Sequence, residues 1–404
     1  MRYAAARRDM SPDGDVKQES KTHMLKKTVL FFKKELMLTL SLIAAGAALI
    51  ITPPTKELLY GIDWRTLGTL FMMLCVLEGF KREDVLRPVA RLGAGMKTLA
   101  ALTLFLVFGV FFTSMLVTND VSLIIFVPLT ITLLRECGRE KYILPVISMQ
   151  NIAAIRGSML SPFGSPQNLF LYGKANVSAW RFMLHMLPLN ALSAVLLVAF
   201  VLFLYRKDIK EPVSPPAEEK PAKTKAEKTR GGIYIALFVL IAAVIVTRTS
   251  LWYYAVMIVA VAVFFTDKKL FLKVDYVLLL TFLCFFVFSS SITLNKNVSG
   301  LLSEAVAGRE YWWAIGLSQL ISNVPATIVL YPFSQNFAGL IYGADTAGLC
   351  SLIGSLASVI NYRIYVREYP GEGKAFIKTF TLVSWAFFAL SVVPGLLLSQ
   401  WEFA

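Results

Sequence analysis

The sequence predicts an all-α integral membrane protein built from two inverted repeats, and three observations carry that prediction. First, 56% of the 404 residues are hydrophobic and only 16% are charged, whereas soluble domains are about half apolar and about a quarter charged. Second, the apolar residues form continuous blocks of the length that crosses a hydrocarbon core as a helix. Third, the same polar interruption occurs once in each half of the chain.

About nine apolar blocks are predicted to span the membrane, and two further apolar regions are predicted to fold differently. The blocks lie at about 36–52, 64–80, 143–172, 182–205, 231–248, 250–266, 275–291, 345–365 and 376–400. The regions 99–135 and 310–337 each carry a polar break near the middle, so each half is predicted to be too short to cross alone. Both regions are therefore predicted to be re-entrant helical hairpins that enter and leave on one side.

The blocks divide the chain into four predicted segments. These are a basic cytoplasmic tail (1–35), a first repeat (36–205), a charged flexible linker (206–230) and a second repeat with one extra leading helix (231–404). One extra crossing reverses the orientation of everything after it. The two repeats are therefore predicted to run in opposite senses through the membrane, with broken helices, as in secondary transporters.

Similar segments in the two halves support the repeat. IDWRTLGTLFMMLC (62–75) resembles VDYVLLLTFLCFF (274–286), and GSPQNLFLY (164–172) resembles ASVINYRIY (357–365). The second match pairs Ser165 with Ser358 and Asn168 with Asn361. Because 164–172 lies in a segment rich in Gly and Pro, both members of this pair are predicted to belong to broken helices.

The basic residues predict the orientation. The loops assigned to the cytoplasm at 81–91, 135–141, 206–230, 267–273 and 363–374 are rich in Lys and Arg, whereas the loop 335–348 assigned to the outside has none. The positive-inside rule then places the N-terminus in the cytoplasm and the C-terminus outside. It also accounts for the net charge of +14 without a nucleic-acid partner, which leaves membrane lipids and a small solute as the predicted partners.

Polar residues within the apolar regions are the predicted ion and substrate ligands. Backbone that leaves a helix inside a membrane persists only where it lines a wet cavity, so each hairpin tip is predicted to form half of a binding site. Sodium is predicted at Asn119 and Asn323. The predicted ligands are Thr118, Asn119, Asp120, Ser165, Asn168, Ser322, Asn323, Thr327, Ser358 and Asn361.

Two charged residues in these segments carry sharper hypotheses. A carboxylate at mid-membrane is functional by default, so Asp120 is predicted to carry a proton or bind a cation, unless it serves only to cap the returning helix. Arg156 is predicted either to contact an anionic substrate or to pair with Asp120. Its structural alternative is an arginine that reaches an aqueous vestibule or the lipid headgroups.

Enzymatic chemistry is not predicted. The four cysteines are scattered without metal-ligand spacing, and only His23 and His185 could supply an imidazole. No phosphate-binding G-x-x-x-x-G-K-[ST] occurs, so ATP is not expected to drive the protein directly. No cofactor is predicted beyond sodium or a proton as the coupling ion.

The combined pattern TND…P, G-S-P-Q-N-L, S-N-V-P and G-S-L-A-S resembles the ion transporter superfamily over roughly residues 40–400. It is most similar to the arsenite permease and sodium–proton antiporter branch, with its citrate-transporter-like relatives. The resemblance implies sodium or proton coupling, elevator-type movement and often a homodimer. Relatives that carry dicarboxylates have Ser-Asn-Thr at both tips. Here the third positions are Asp120 and Val324, which favours the arsenite and antiporter branch.

The predicted function is therefore secondary active transport of a small inorganic or carboxylate anion, arsenite-like or citrate-like, by symport or antiport. The predicted location is the cytoplasmic (inner) membrane of a prokaryote. The alternative is a sodium–proton antiporter of the same fold that carries no anion. A membrane-embedded enzyme would need an acidic, His or Cys cluster at the cytoplasmic surface, and a channel suits two occluding tips less well than alternating access does.

Overall fold

A computed structural model describes residues 35–207, 209–213 and 223–401. Within those ranges the chain forms eighteen α-helices, and an isolated bridge is the sole β-pairing. The helices are α1 Leu36–Ile51, α2 Lys56–Gly61, α3 Trp64–Arg82, α4 Arg87–Arg91, α5 Leu99–Val117, α6 Asn119–Glu136, α7 Ile143–Ser158, α8 Pro166–Lys174, α9 Ala179–Leu204, α10 Lys225–Thr247, α11 Trp252–Asp267, α12 Tyr276–Leu294, α13 Lys296–Val306, α14 Glu310–Ile321, α15 Asn323–Leu330, α16 Phe337–Ala347, α17 Leu356–Glu368 and α18 Gly373–Leu398.

The order of elements in the first half recurs in the second. The series α5, α6, α7, α8 and α9 corresponds to α14, α15, α16, α17 and α18, with a one-residue break inside each first pair. The helices α3 and α12 also correspond, because each starts at an aspartate whose carboxylate accepts a hydrogen bond from the third following backbone N–H. These bonds join Asp63 to Thr66 and Asp275 to Leu278, each at 2.9 Å.

The two halves pack against each other through pairs of helices in which each half supplies one member. The helix α1 packs on α12, and α11 packs on α3. In the same way α6 packs on α17, and α15 packs on α8. The second arm of each hairpin therefore lies against the broken helix of the opposite half, while α10 has no counterpart in the first half.

Helix lengths confirm part of the predicted membrane architecture. Five helices are long and apolar enough to cross a membrane, namely α5, α9, α10, α12 and α18. Large apolar side chains on them are exposed, as expected where lipid is the solvent; Val239 is 61% and Leu382 71% exposed. The prediction that each hairpin arm is too short to cross is wrong for α5, whose 19 residues extend about 28 Å.

The predicted outside loop at 335–348 is also wrong, because most of it forms the buried helix α16. The second broken element therefore begins earlier than the predicted span 345–365. It consists of α16, a non-helical segment at 348–355, and α17. The loop that precedes α16 is correspondingly short.

The described ends of the predicted linker are attached to the bundle. Near its start, the Leu99 N–H donates to the Glu211 carbonyl at 2.9 Å, and the Val213 N–H donates to the Lys97 carbonyl at 3.1 Å. Near its end, the Arg230 guanidinium makes two hydrogen bonds to the buried carboxylate of Glu83, at 2.8 and 3.1 Å. The remainder of the linker at 208 and 214–222, and nearly all of the predicted tail 1–35, lie outside the described residues.

Candidate functional site

Each hairpin turns at one residue with an unusual backbone conformation. Thr118 has φ 82° and ψ 153°, and Ser322 has φ 69° and ψ 157°. Positive φ is unfavourable for a side chain with a Cβ, and most so for a β-branched one such as threonine. Because both halves adopt this conformation at the equivalent residue, the turn is a shared feature of the two hairpins.

Contacts between the arms show that the first pair folds back on itself. The hydroxyl oxygens of Thr113 and Ser122 lie 2.9 Å apart across the turn. Further from the tip, a Cβ at Gly109 would come within 2.4 Å of the Phe126 ring. Gly109 lies well before the turn at Thr118 and Phe126 well after it, so these two residues can touch only if α5 and α6 lie side by side.

The second pair folds back in the same way. The buried carboxylate of Glu310, at the start of α14, accepts backbone hydrogen bonds from Gln335 and Asn336, both at 3.0 Å. These residues follow α15, so the two ends of the hairpin meet opposite the tip at Ser322.

Each tip is joined to the broken helix of its own half by the same backbone hydrogen bond. The Asn119 N–H donates to the Gly164 carbonyl, and the Asn323 N–H donates to the Gly354 carbonyl, both at 3.2 Å. The carbonyl belongs in both cases to the residue before the serine that starts the next helix. The tip and the break therefore form one structural unit in each half.

This equivalence corrects the sequence pairing of the two breaks. Ser165 and Ser355 occupy the same N-cap position with the same extended backbone, at φ −146° and −151°. Asn168 donates to the Ser158 carbonyl and Ser358 to the Gly348 carbonyl, each at 3.4 Å. The predicted pairing of Ser165 with Ser358 is wrong by about one helical turn, and Asn168 corresponds to Ser358.

The two tips line one cavity of about 310 Å³. Asn119 and Asp120 come from the first tip, and Ser322 and Asn323 come from the second. The wall also contains residues from the starts of α8 and α17 and four charged side chains. Besides Asn119, Asp120, Ser322 and Asn323, the polar residues of the wall are Gln167, Ser355, Thr281, Glu35, Asp275 and Arg363.

The remaining predicted ligands lie behind the wall of this cavity. Thr118 forms the turn itself, and Thr327 donates to the Asn323 carbonyl at 2.7 Å. Asn361 donates to the Ile147 carbonyl at 2.7 Å, so it ties α17 to α7. Ser358 accepts from the Asn151 amide at 3.0 Å between the same helices.

The first break presents unpartnered oxygen atoms. Ser161 Oγ, Ser165 Oγ and Asn168 Oδ1 are buried and have no hydrogen-bond partner within the described ranges. Buried oxygens of this kind beside interrupted backbone are suited to hold a small cation. All three belong to the segment whose Gly164 carbonyl contacts the first tip.

The second break differs because the residues equivalent to Ser161 and Asn168 have hydrogen-bond partners on other side chains. The Ser351 hydroxyl donates to Gln319 Oε1 at 2.7 Å, and Ser358 Oγ accepts from the Asn151 amide. The backbone of the two units is thus alike, while their unpartnered oxygens differ, because the one on α17 is Asn361 Oδ1.

Arg156 lies in the interior and not in the cavity. Its side chain is fully buried and donates to Ser391 Oγ at 3.0 Å and to Thr346 Oγ1 at 3.4 Å. The predicted ion pair with Asp120 is wrong, since among the described residues no ion pair involves Arg156. Full burial also excludes the alternative of a side chain that reaches water or headgroups.

Sequence reasoning missed a buried carboxylate, Asp345, and its partner. Gln167 Nε2 donates to Asp345 Oδ1 at 2.9 Å, and Asp345 is fully buried. Asp345 was hidden because the surrounding segment lacks Lys and Arg and therefore predicted an outside loop. The available signal was a lone acid in an otherwise apolar stretch of small residues.

Comparison with known proteins places this geometry in a family. A family model described as citrate transporter matches residues 28–354, which include both hairpin tips and both breaks up to Gly354. The chain belongs to the citrate transporter family. The predicted resemblance to citrate-transporter-like permeases is therefore confirmed.

Two relatives match this chain over most of their own length. The chain is 30% identical to the inner membrane protein YbiR of Escherichia coli, over 80% of this chain and 86% of that protein. It is 28% identical to the uncharacterized transporter MJ0456 of Methanocaldococcus jannaschii, over 78% and 84% respectively. With the apolar helices, these matches identify a multi-pass membrane transporter of the citrate and ion permease kind.

Proposed function

We propose that this protein is a secondary active transporter that moves a small inorganic or carboxylate anion, arsenite-like or citrate-like, across the cytoplasmic membrane, coupled to sodium or protons. The single observation that carries the proposal is the meeting of Asn119 and Asn323, from opposite halves of the chain, in the wall of one cavity. A solute bound there contacts both halves at once, so its binding depends on their relative position.

The helix ends around the cavity favour an anion. The helices α6, α8, α15 and α17 begin at residues of its wall, namely Asn119, Pro166, Asn323 and Leu356. The start of a helix carries a partial positive charge and unpaired N–H groups, which together attract anions. Arg363 adds one full positive charge to the same wall.

The first tip favours a cation. Asp120 brings a carboxylate to the cavity, and the adjacent break holds the three unpartnered oxygens of Ser161, Ser165 and Asn168. Sodium is therefore assigned to the first unit at Asn119 in preference to the second at Asn323. A bound cation there would offset the charge of an anion in the cavity.

A second cavity supports alternating access. It measures about 240 Å³ and is lined by the far ends of α12 and α15, including Thr293 and Tyr331. Phe282 lines the first cavity and Phe286 the second, so about one helical turn, roughly 6 Å, separates them along α12. The Phe286 ring also packs against Phe170, with centroids 5.6 Å apart, and these rings form the barrier.

The position of the first cavity in the helix bundle supports a proposed movement of the two hairpins. The first cavity reaches the end of the bundle where α1 and α12 start, at Glu35 and Asp275, which the positive-inside rule places in the cytoplasm. We propose that each hairpin moves with the broken helix of its own half as a unit, in an elevator-type step within a homodimer. The second hairpin, whose arms α14 and α15 have 12 and 8 residues, fits the re-entrant form better than the first.

Uptake by proteoliposomes tests this function. Labelled arsenite, citrate, succinate and sulfate are offered with and without sodium or pH gradients, and one of them is expected to accumulate. Asn119→Ala and Asn323→Ala each remove a ligand worth about 1–3 kcal/mol, which weakens affinity roughly 5- to 150-fold. Asn176→Ala, at an exposed loop position, is the matched control. Equal uptake by all three variants would remove the tips from the site.

A sodium–proton antiporter without anion transport is the second candidate. The observation that favours it is the excess of carboxylates in the cavity wall, with Glu35, Asp120 and Asp275 against Arg363. In the same vesicles this candidate predicts that added sodium dissipates a pH gradient while none of the four anions enters.

A further inference from the structure

Asp345 has the surroundings of a group that binds a proton. It lies in the last turn of α16 and is fully buried. One carboxylate oxygen accepts from Gln167 at 2.9 Å, and the other, Oδ2, has no partner among the described residues. A buried ionised carboxylate needs several donors or a cation in contact, whereas a neutral acid needs far less.

The charged groups on the neighbouring helices are directed elsewhere. Arg156 on α7 is the charge that acts on Asp345, but it donates its hydrogen bonds to Ser391 and Thr346. On α14, Glu310 holds backbone N–H groups at the opposite end of α16. On α8, Lys174 forms an ion pair with Asp63 at 2.9 Å.

The remaining titratable neighbours are also engaged or distant. Tyr311 on α14 donates to the Val392 carbonyl at 2.9 Å, and Tyr342 on α16 itself donates to the carbonyl of His185 on α9. The helix α15 has no titratable residue, and the lysines of α18 are the exposed Lys374 and Lys378 near its start. Among the described residues no basic side chain forms an ion pair with Asp345, so its unpartnered Oδ2 can bind a proton.

Gln167 connects this buried acid to the cavity. Within the described ranges it is the one residue that both hydrogen-bonds Asp345 through its side chain and lines the cavity with Asn119 and Asn323. A glutamine amide can donate through its nitrogen or accept through its oxygen. An ionised Asp345 requires the nitrogen, as in this structure, whereas a protonated Asp345 can donate to the oxygen if the amide turns over.

We propose that Asp345 binds the coupling proton and that the Gln167 amide transmits its protonation state to the cavity. The proton adds to Oδ2, and a half-turn of the carboxyl about its Cβ–Cγ bond brings the new O–H to the Gln167 amide oxygen. The proton leaves from the same oxygen, so the O–H bond is the one covalent bond that forms and breaks. With Asp345 ionised, the amide turns its oxygen away from the acid, which favours a cation at the cavity. With Asp345 protonated, the amide turns its NH₂ group away, which favours an anion.

The inference rests on the proposed function and gives Asp120 and Asp345 different roles. Asp120 is in the first turn of α6 and lines the cavity, where the positive end of the helix dipole favours its charged form, while its Oδ1 has no hydrogen-bond partner among the described residues. Asp345 lies behind the cavity wall in the last turn of α16. Two carboxylates in such different surroundings take different protonation roles.

Infrared difference spectroscopy on the full chain in lipid tests the proton site without any ligand. A pH titration of the wild-type protein is expected to show the carbonyl band of one protonated carboxylic acid that Asp345→Asn removes and Asp120→Asn leaves in place. Gln167→Leu is the second variant. It removes the hydrogen bond to the acid and is expected to shift the same band to higher frequency. A band that survives in Asp345→Asn, or that does not move in Gln167→Leu, would overturn the proposal.

Transport measurements separate this inference from the proposed function. Wild-type vesicles that accumulate one of the four anions are expected to do so faster with an inward proton gradient, and Asp345→Asn is expected to lose that response. If the anion accumulates but Asp345→Asn responds to the gradient as the wild type does, the transport function stands and the proton assignment is refuted. If no solute moves while the infrared band behaves as expected, the proton assignment stands and the transport function is refuted.

Discussion

The backbone bond between each tip and its break can be tested with one methyl group. In Gly164→Ala, the added Cβ would lie 2.3 Å from the Ser158 carbonyl oxygen and 2.8 Å from Ser161 Oγ. A backbone oxygen at that distance cannot turn aside as a flexible side chain can, so the break must shift. The shift moves the Gly164 carbonyl away from the Asn119 N–H, now 3.2 Å away.

Two costs add in this variant. Forcing an extra methyl into close-packed surroundings costs about 1–3 kcal/mol, and the net loss of one backbone hydrogen bond costs about 0.5–1.5 kcal/mol. We therefore expect Gly164→Ala to lower the free energy of unfolding by about 1.5–4.5 kcal/mol. Because the break also carries Ser165 and Asn168, sodium dependence of uptake should weaken in the same variant.

Gly316→Ala is the matched control. Gly316 lies within α14, and an added Cβ there meets no heavy atom within 4 Å. Replacing a helical glycine by alanine at an open position stabilises by about 0.5–1 kcal/mol. Thermal unfolding of both variants in detergent, together with uptake against sodium concentration, gives the comparison. If Gly164→Ala unfolds no earlier than Gly316→Ala and keeps the wild-type sodium dependence, the tip and break do not act as a unit.

Three further predictions follow from other parts of the site. Ser161→Ala should weaken the apparent sodium affinity about tenfold. Ser351→Ala, at the equivalent position in the second break, should leave it unchanged because the Ser351 hydroxyl already bonds Gln319. Sodium titrations of uptake that shift equally in both variants would contradict this. Glu310→Ala should destabilise the protein by about 2–4 kcal/mol through loss of two charge-assisted bonds, against little change for the exposed Glu304→Ala, as read from unfolding curves. Phe286→Ala should make vesicles leak the solute because it removes a ring between the two cavities, whereas Phe265→Ala, at a position 81% exposed, should not.

The positions of the tips could be predicted from the sequence because their cost is visible there. A polar pair such as Thr118-Asn119 interrupts an apolar run, where an unpaired backbone group is expensive. Its recurrence at Ser322-Asn323 made a chance origin implausible. The structure places both asparagines in one cavity wall, so the side chains that the pattern selected are those that meet.

The start of the second break could not be predicted from the sequence because a loop outside the membrane and a closely packed helix have the same composition here. The stretch before it is rich in small residues and has no basic charge, which is also the composition of an outside loop. In the structure those small residues let helices approach; a Cβ at Gly343 would lie 2.5 Å from the Tyr311 carbonyl oxygen. Asp345 was missed for the same reason, since it was assigned to that loop.

The register of the two breaks was misjudged because a shift of one helical turn preserves the pattern. Serine and asparagine lie three residues apart in both halves, at Ser165 and Asn168 and again at Ser358 and Asn361. The Gly-Ser pairs at 164–165 and 354–355 favour the true pair, Ser165 with Ser355, but the Ser and Asn spacing outweighed them. The carbonyl that receives the tip N–H decides it, and such a contact depends on tertiary structure alone.

The two units share a backbone and differ in side chains, and this difference limits the mechanism. Both tips have the same strained turn and the same bond to the break, so both can support a similar movement. The three unpartnered oxygens of the first break and Asp120 belong to the first unit, while Val324 stands at the position of Asp120 in the second, and protein amides form hydrogen bonds with Ser351 and Ser358. The second unit instead supplies Asp345, reached through Gln167 from the first. A repeat that had kept the same ligands as well as the same backbone would bind two equivalent cations, whereas the different side chains of these two units favour the proposed single cation site and a separate buried acid, joined by one amide.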